Sequence, residues 1–308
     1  MANAPRLFCV DTVLVDVVLK IAALPELGGD AVATERMITT GGGFNVMSSA
    51  RRHGMDVVYA GQLGRGAFAD LARCALAAEE IVVPIAGAGA DDVGCCVVLV
   101  DAAGERSFVT SPGSEQQLRL SDLEQLVISA GDYVFLSGYN LVYPVISATV
   151  SAWLAALPDG VIVALDPGPR VLDIASDLLE ATLERVQWLL CSAVEARQLS
   201  GEKEIEAALA VLLGRCPGVV VHDGARGCVL ATRGVAPIRI DGYQVQVVDT
   251  NGAGDTHDGV FLAELARGTG VVEAAQRANG ASALAVGRLG PATCPTREEV
   301  STWISTFN

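Results

Sequence analysis

The chain has 308 residues, enough for one large α/β domain or two small ones. Its formal net charge of −15, without any lysine or arginine cluster, argues against nucleic acid as a partner. Hydrophobic residues make up 51% of the sequence and no low-complexity tract occurs, which excludes a disordered chain and predicts a folded globular protein.

The cysteines and the N-terminus indicate the compartment. The eight cysteines are scattered without CxxC spacing, and most lie in apolar runs, as buried cysteines of a reducing compartment do. No basic segment followed by an apolar run marks a leader, and no stretch reaches membrane-spanning length. The sequence therefore predicts a soluble cytoplasmic protein with no membrane association.

The first apolar run, Leu7 to Leu19, is typical of a buried strand, interrupted by Asp11 and Asp16. A carboxylate in a buried strand is unfavourable unless it meets a partner, a ligand or water. Asp16 therefore either contacts a ligand or caps a turn. Residues 24–40 are predicted to form a loop and a short strand.

A glycine segment, Thr40-Gly41-Gly42-Gly43-Phe44-Asn45, precedes a helix predicted from about Val46 to His53. Glycines let the backbone approach a ligand closely, and the Asn45 amide offers both donors and an acceptor, as sugar hydroxyls require. The alternative is a flexible turn in which Asn45 only caps the helix.

The next region changes from alternating strand and helix to paired strands. The sequence first predicts a strand over Val57 to Gln62 and a helix over Phe68 to Ala78. Two strands follow, Cys95 to Val100 and Arg106 to Thr110, joined by a turn at Asp101 to Gly104. This is a hairpin pattern. Paired strands within an alternating α/β chain suggest a small sheet that covers the main domain as a lid.

From Ser121 onward strands and helices alternate regularly. The predicted helices cover residues 121–129, 145–157, 172–184 and 204–213, and the strands that follow them cover 133–136, 161–165, 188–191 and 219–222. Such repeats predict a parallel sheet with helices on both faces and ligands beyond the C-terminal strand ends. Polar or glycine-rich residues follow four of these strands: Ser137-Gly138, Asp166 to Arg170, Ser192 to Glu195, and Asp223 to Gly227.

The last third contains Val247-Val248-Asp249-Thr250-Asn251-Gly252-Ala253-Gly254-Asp255-Thr256-His257. A strand from Tyr243 to Val248 is predicted to feed this glycine turn, which opens a helix over 255–267. Backbone N–H groups and the helix dipole then converge on one spot that suits an anion, with the Asp255 carboxylate beside it. The alternative is an ordinary helix start in which Asp255 only stabilises the dipole. A helix from Val271 to Val286 and a capping box at Thr296 to Glu299 complete the chain.

The two glycine motifs, Gly41-Gly42-Gly43-Phe44-Asn45 and Asp249-Thr250-Asn251-Gly252-Ala253-Gly254-Asp255, together resemble the ribokinase/PfkB family of carbohydrate and nucleoside kinases. The resemblance covers essentially the whole length. It implies one ribokinase-like three-layer α/β domain over residues 1–308, with a mostly parallel central sheet flanked by helices. It also implies a small β-sheet lid formed by roughly residues 12–40 and 86–112, which in relatives often forms a homodimer interface.

The same resemblance implies transfer of the γ-phosphoryl group of ATP, with Mg²⁺, to an alcohol of a small sugar-like substrate. Asp255 would be the general base, and the backbone of Gly252, Ala253 and Gly254 the anion hole. The implied substrate contacts are Asp16, Gly42, Gly43 and Asn45. The implied nucleotide contacts are Ser192, Glu195, Asp223, Gly224, Gly227, Asn251 and Asn279. Glu195 would hold Mg²⁺ through water, and Asp249 would contribute to a site for K⁺.

Three departures from the family pattern stand out. Family members commonly carry asparagine where this chain has Ser192, many have glycine at Asp11, and a small residue is usual at Met47. In addition, His257 closely follows the predicted base. We interpret His257 as a pocket-wall residue, because one base suffices for phosphoryl transfer. The leading hypothesis is a kinase of an unphosphorylated sugar. The alternatives are a nucleoside kinase, or a nucleotide- or sugar-binding regulator that has lost efficient chemistry.

Overall fold

A computed structural model describes residues 4–85, 87, 91–103 and 105–307. Its strands are β1 (Arg6–Val10), β2 (Val13–Lys20), β3 (Glu35–Gly42), β4 (Asp56–Tyr59), β5 (Cys95–Val100), β6 (Arg106–Ser111), β7 (Tyr133–Ser137), β8 (Ile162–Asp166), β9 (Trp188–Ser192), β10 (Gly218–His222), β11 (Cys228–Thr232) and β12 (Ile238–Ile240). Its helices are α1 (Phe44–Arg52), α2 (Ala67–Ala78), α3 (Leu120–Leu123), α4 (Tyr139–Val142), α5 (Pro144–Ala156), α6 (Ser176–Leu183), α7 (Ala193–Ser200), α8 (Ile205–Leu212), α9 (Ala253–Ala266), α10 (Val271–Val286) and α11 (Arg297–Ile304).

Eight strands form the central sheet in the order β12-β11-β10-β9-β8-β7-β1-β4. The strands from β10 to β4 are parallel, and β11 and β12 add an antiparallel edge. Side chains of β1 alternate between the faces, so that Phe8 and Val10 join one apolar core while Leu7 and Cys9 join the other. Helices cover both faces, and the predicted mostly parallel α/β architecture is confirmed.

The four remaining strands form a second, smaller sheet in the order β3-β2-β5-β6. β2 and β5 are parallel, and the outer pairs are antiparallel. The predicted hairpin of β5 and β6 is confirmed, and the Asp101 carboxylate accepts hydrogen bonds from the N–H groups of Ala103 and Glu105 at its turn. Gly104 of that turn, and residues 86 and 88–90 of the predicted lid, lie outside the described residues.

Of the two interruptions predicted in the run from Leu7 to Leu19, the one at Asp11 is confirmed, whereas the one at Asp16 is wrong because Asp16 lies within a strand. The run divides at Asp11 into β1, which belongs to the central sheet, and β2, which belongs to the small sheet. The Asp11 carboxylate accepts a hydrogen bond from the N–H of Thr12 at the break, and Thr12 O accepts one from Gly43 N–H. These bonds replace ladder bonds and let the chain change sheets.

The strand predicted from Tyr243 to Val248 is also wrong, because this segment is irregular. The N–H groups of Val248 and Asp249 donate to the carbonyl of Val286 at the end of α10 instead of to a neighbouring strand. The helix predicted over 121–129 shortens to α3. Among the described residues, every helix is too short or too polar to traverse a lipid bilayer.

Helix α9 is buried between α1 and α10. A β-carbon at Gly259 would overlap the carbonyl oxygen of Val46, so the close approach of α9 to α1 requires glycine there. Near the other end of α9, the buried Glu264 carboxylate accepts hydrogen bonds from Arg297 of α11 at 2.7 Å and Thr269 at 2.9 Å. His53, which follows α1, lies 3.4 Å away from it. Glu264 thus ties three helices together.

Replacing Glu264 with Gln tests this tie. Burial alone would raise the pKa of Glu264, but the hydrogen bonds from His53, Arg297 and Thr269 outweigh it and hold the pKa at about 2. We expect Glu264→Gln to lower the free energy of unfolding at pH 7 by about 2–4 kcal/mol, measured by urea denaturation.

A carboxylate whose pKa is lower in the folded than in the unfolded protein stabilises the fold at pH values above its unfolded pKa. This stabilisation is lost as the pH falls towards the folded pKa. The unfolded pKa of Glu264 is taken as 4.5. The difference in free energy of unfolding between wild type and Glu264→Gln should then be smaller at pH 4 than at pH 7 by roughly 1 kcal/mol. The exposed Glu124 provides the control, since Glu124→Gln should change stability little at either pH. Equal effects of the two substitutions would contradict the assignment.

Candidate functional site

Two cavities meet at the turn between Asn251 and Asp255. The larger cavity, of about 450 Å³, lies between the small sheet and the C-terminal ends of the central strands, and Asn251 and Asp255 both line it. The smaller cavity, of about 250 Å³, lies beyond the same turn and is lined by Ala253 and Gly254. A single turn of backbone therefore borders two separate ligand-sized spaces.

The turn supplies backbone donors between the cavities. Gly252 has φ +75°, a left-handed conformation that favours glycine, and α9 begins at the next residue. The first helical bond runs from Thr256 N–H to Gly252 O. The N–H groups before it lie outside the helical ladder, although Ala253 N–H donates to Thr250 O at 3.3 Å, and the helix dipole adds positive potential there. The geometry at 252–254 suits an anion placed between the cavities.

Asp255 lies in the first turn of α9 and is held by Asn45, whose Nδ2 donates to Asp255 Oδ2 at 2.9 Å. The Asn45 Oδ1 accepts a hydrogen bond from Ala292 N–H at 3.3 Å. Burial raises the pKa of Asp255 to about 6, although the Asn45 hydrogen bond opposes the shift. Asn45, predicted as a substrate contact, thus orients the predicted base, and both residues border the same cavity.

The glycine segment allows the backbone to pass close to its neighbours. Gly42 has φ +63°, and a β-carbon there would overlap the carbonyl oxygen of Thr12. A β-carbon at Gly41 would overlap the Asp16 carboxylate, and one at Gly43 would crowd Asp11. Asp16 and Gly42 line the larger cavity with Asn45, so three of the four predicted substrate contacts border it.

Carboxylates dominate the larger cavity. Burial raises the pKa of Asp11 to about 7 and that of Asp16 to about 6, with the nearby Asp255 adding to both shifts. Burial, then the charges of Asp258 and Glu195, raise the pKa of Asp166 well above its ordinary value. Among the described residues that line this cavity, Arg170 is the one basic side chain, and its Nε donates to Asp173 at 2.8 Å.

Ser192 and Glu195 form a capping box at the start of α7. Ser192 N–H donates to Glu195 Oε2 at 2.7 Å, and Glu195 N–H donates to Ser192 Oγ at 3.3 Å. Glu195 nevertheless lines the larger cavity, beside Asp166. The S-x-x-E pattern before an apolar run is the sequence signal that predicts this cap. Asparagine would serve as an N-cap equally well.

The smaller cavity is mostly apolar on the side of α10. Asn279 lines it and donates Nδ2 to the carbonyls of Ile240 and Asp241, at 3.0 and 3.2 Å. Gly224 and Gly227 also line it, both with positive φ. The irregular segment from Tyr243 to Val247 supplies one wall, which the sequence had suggested to be a strand.

Asp223 is predicted to contact nucleotide but points elsewhere. Its carboxylate accepts hydrogen bonds from Arg226 at 2.6 and 2.8 Å and from Arg239 at 3.0 Å. The pKa of Asp223 is lowered, chiefly by the Arg226 hydrogen bond. Asp223 does not border the smaller cavity in the described part of the chain. It therefore holds the loop that carries Gly224 and Gly227.

Asp249 organises the loop before the turn. Its Oδ1 accepts a hydrogen bond from Asn251 N–H at 2.9 Å and pairs with the guanidinium of Arg106 in β6. Its Oδ2 accepts a hydrogen bond from Gly290 N–H at 3.2 Å. An ion pair thus connects the small sheet directly to the loop between the cavities. Asn251, predicted as a nucleotide contact, lies at the boundary of the larger cavity.

His257 lines the smaller cavity, in agreement with its interpretation as a wall residue. Burial lowers the pKa of His257 well below its ordinary value, and the neighbouring His222 adds to the shift. The Asn279 amide lies close enough to oppose this shift, but its geometry does not complete a hydrogen bond. His257 is therefore a neutral imidazole in the wall.

Several cavity residues were not predicted as site residues. Asp11, Ser137, Tyr139 and Asp166 line the larger cavity. Ser137 and Asp166 end parallel strands and lie in two of the polar strand-end segments where the sequence predicts ligands, and Tyr139 follows the first of these segments. The signal for Asp11 is different: it interrupts the first apolar run, where a carboxylate needs a partner, a ligand or water.

The chain matches known proteins over nearly its whole length. A family model described as pfkB family carbohydrate kinase matches residues 4–298. The chain is 31% identical over 307 residues to the uncharacterized sugar kinase YegV of Escherichia coli (strain K12), covering 94% of this chain and 91% of that protein.

Solved structures show the same fold. A ribokinase from Thermotoga maritima superposes with a TM-score of 0.85 at 24% identity, covering 98% of this chain and 99% of that one. A putative ribokinase II from E. coli, solved in complex with ATP and Mg²⁺, gives a TM-score of 0.85 at 22% identity and the same coverage. These matches confirm the predicted ribokinase-like fold.

Proposed function

The chain belongs to the pfkB family of carbohydrate kinases, and we propose that it transfers the γ-phosphoryl group of ATP to a hydroxyl of a small unphosphorylated sugar or sugar derivative. As a member of that family it is a phosphotransferase. The observation that carries the specific proposal is the turn at 251–255, which borders both cavities and bears a carboxylate.

The two cavities suit different ligands. The smaller one has an apolar wall and glycine-rich edges, as a nucleotide base and its phosphates require. The larger one presents carboxylates and the amide of Asn45, which suit sugar hydroxyls. We assign ATP to the smaller cavity and the sugar to the larger one, so that their reactive ends meet at the turn.

The proposed reaction needs one base and one anion hole. The sugar hydroxyl oxygen forms a bond to the γ-phosphorus as its proton passes to the Asp255 carboxylate. The bond between that phosphorus and the bridging oxygen breaks, and ADP leaves with its electron pair. Backbone N–H groups of Gly252, Ala253 and Gly254 stabilise the negative charge that the transferring group spreads over its oxygens.

Mg²⁺ fits the carboxylates at the strand ends. It prefers oxygen ligands and usually keeps several waters, and Asp166 and Glu195 both line the cavity beside the turn. The raised pKa of Asp166 reflects charge repulsion as well as burial, so a cation there would relieve it. When bound, Mg²⁺ neutralises the phosphate oxygens. Of the two, Glu195 has one oxygen committed to the cap of α7.

The charge of the larger cavity favours an unphosphorylated substrate. A phosphate would face Asp11, Asp16 and Asp166, and Arg170 is already paired with Asp173. Arg106, the other arginine that could hold a phosphate, contacts Asp249. Neither arginine is free to hold a second phosphate without breaking an ion pair.

A substrate panel tests this proposal. Purified protein with Mg-ATP should release ADP with unphosphorylated sugars and little with the matching sugar phosphates or with nucleosides, measured by a coupled ADP assay. Turnover on nucleosides alone would favour the nucleoside kinase. ATP binding by calorimetry without turnover on any panel would favour the regulator.

The role of Asp255 predicts a separation of binding from chemistry. Asp255→Asn keeps the size of the side chain but removes the base, so kcat should fall at least about a hundredfold. Substrate and ATP affinities, measured by calorimetry, should change little. The exposed loop residue Asp159 gives the control, and Asp159→Asn should retain wild-type kcat. Unchanged turnover in Asp255→Asn would remove this carboxylate from the mechanism.

At the predicted K⁺ site, Asp249 already has a positively charged partner in the Arg106 guanidinium. Both carboxylate oxygens already accept hydrogen bonds, and the Arg106 guanidinium contacts Oδ1. We propose that Arg106 supplies the positive charge at this position, so that turnover does not depend on K⁺. Arg106 acts as a positioning residue, because it contacts Asp249 and lines neither of the two ligand cavities in the described residues.

Arg106→Gln should create a dependence on K⁺. Loss of a charge-assisted hydrogen bond of about 1.5–3 kcal/mol should lower turnover about tenfold or more in a buffer of a bulky organic cation. Adding K⁺ at constant ionic strength should restore part of it. Arg36, Arg106 and Asp249 line a third cavity. Arg36 makes no ion pair with Asp249 among the described residues, so Arg36→Gln should behave as wild type. Strong K⁺ activation of the wild-type protein would contradict the proposal.

Association of two chains through the small sheet stays a prediction. Ile38 and Val109 are exposed on the face of this sheet opposite the larger cavity, which suits an interface.

A further inference from the structure

Three side chains that the proposed reaction does not use lie together beneath the smaller cavity. His222 ends β10, and His257 and Asp258 follow each other in α9. One nitrogen of each histidine and one oxygen of Asp258 all lie within 4.8 Å of one another. His257 is 4% exposed and Asp258 is fully buried. The chain has three histidines, and two of them belong to this cluster.

The cluster is short of hydrogen bonds. Five of its polar atoms have no hydrogen-bond partner among the described residues: both oxygens of Asp258, both nitrogens of His257 and Nε2 of His222. Nε2 of His222 is 3.1 Å from Oδ1 of Asp258, yet the ring N–H is not aligned with that oxygen. A buried carboxylate without a donor is strongly unfavourable. The described residues therefore leave these polar atoms without an aligned partner.

A metal ion would supply a partner. Ligands bound about 2.0–2.1 Å from a tetrahedral zinc ion lie roughly 3.3 Å from one another, close to the separation of His222 and Asp258. A metal ion shared by these residues requires only that their lone pairs point to one position. A hydrogen bond would instead require an N–H that points at the carboxylate oxygen. Two imidazoles and one carboxylate suit zinc and its neighbours in the periodic table. Mg²⁺ prefers oxygen ligands, so this would not be the Mg²⁺ that accompanies ATP.

We propose that His222, His257 and Asp258 bind a divalent transition metal of the zinc class. Three protein ligands leave a further coordination position for water, as in zinc sites that keep an open position. His222 and His257 both line the smaller cavity, so that water comes from the cavity. The His222 ring lies between the cluster and Gly254, with Nε2 facing Asp258 and Nδ1 3.8 Å from the position of a β-carbon on Gly254. The ion therefore places a fixed positive charge one imidazole ring away from the turn. The proposal stands independently of the kinase reaction.

Cobalt(II) is the probe, because its visible absorption reports nitrogen and oxygen ligands directly. The full chain, without a histidine tag, is stripped with chelator and titrated with Co²⁺ in excess Mg²⁺. We expect d–d absorption bands that saturate at one Co²⁺ per chain and disappear when Zn²⁺ is added. Zn²⁺ should also raise the melting temperature of the stripped protein by mass action.

Ligand variants locate the site. His257→Gln and Asp258→Asn should each weaken Co²⁺ binding at least about tenfold. His53→Gln removes the third histidine, which lies beside Glu264 and outside the cluster, and should leave the Co²⁺ spectrum unchanged. The wild-type titration decides the matter even if a ligand variant fails to fold. Absence of both the bands and the Zn²⁺ effect in the wild type would overturn the proposal and leave a buried His222–Asp258 ion pair. Unchanged affinity in both ligand variants would equally overturn it.

Discussion

The hydrogen bond between Asn45 and Asp255 joins residues 210 positions apart and holds the candidate site together. It is short because α1 and α9 pack in direct contact, which Gly259 permits by presenting no side chain to the Val46 carbonyl. The helix contact sets the distance between the glycine segment and the turn that separates the cavities. Without it, the larger cavity would lose the alignment of its walls with the carboxylate.

This arrangement concentrates negative charge where solvent is scarce. Asp11, Asp16 and Asp166 surround the larger cavity, and burial raises the pKa of each. Buried carboxylates are unfavourable for folding, so the stability of the site has to come from elsewhere. The Glu264 cluster and the two apolar cores provide part of it, at the opposite end of α9 and on both faces of the sheet. Enzymes commonly contain unfavourable features at the active site that are compensated by stabilising contacts elsewhere in the fold.

The sequence allowed the order of strands and helices, the small sheet and the two glycine motifs to be predicted, because these depend on local patterns. Side-chain partners depended on residues far apart in the chain and could not be predicted. Asp223 pairs with Arg239, 16 positions on, in addition to its near neighbour Arg226, and Asp249 is paired with Arg106, 143 positions away. The segment from Tyr243 to Val248 has the composition of a strand, but its backbone bonds to α10. Local propensity yields to such tertiary contacts.

The small sheet is discontinuous in the chain, and this has a consequence for how the molecule folds. Its central pair, β2 and β5, is parallel and joins segments separated by β3, α1, β4 and α2. Contacts between segments so far apart carry a large loop-closure entropy and form slowly. We expect the intervening β4 to dock on the central sheet first, so that the small sheet, on which α2 packs, assembles late and opens early. Early opening of the small sheet would let the product leave the larger cavity without disturbing the rest of the fold.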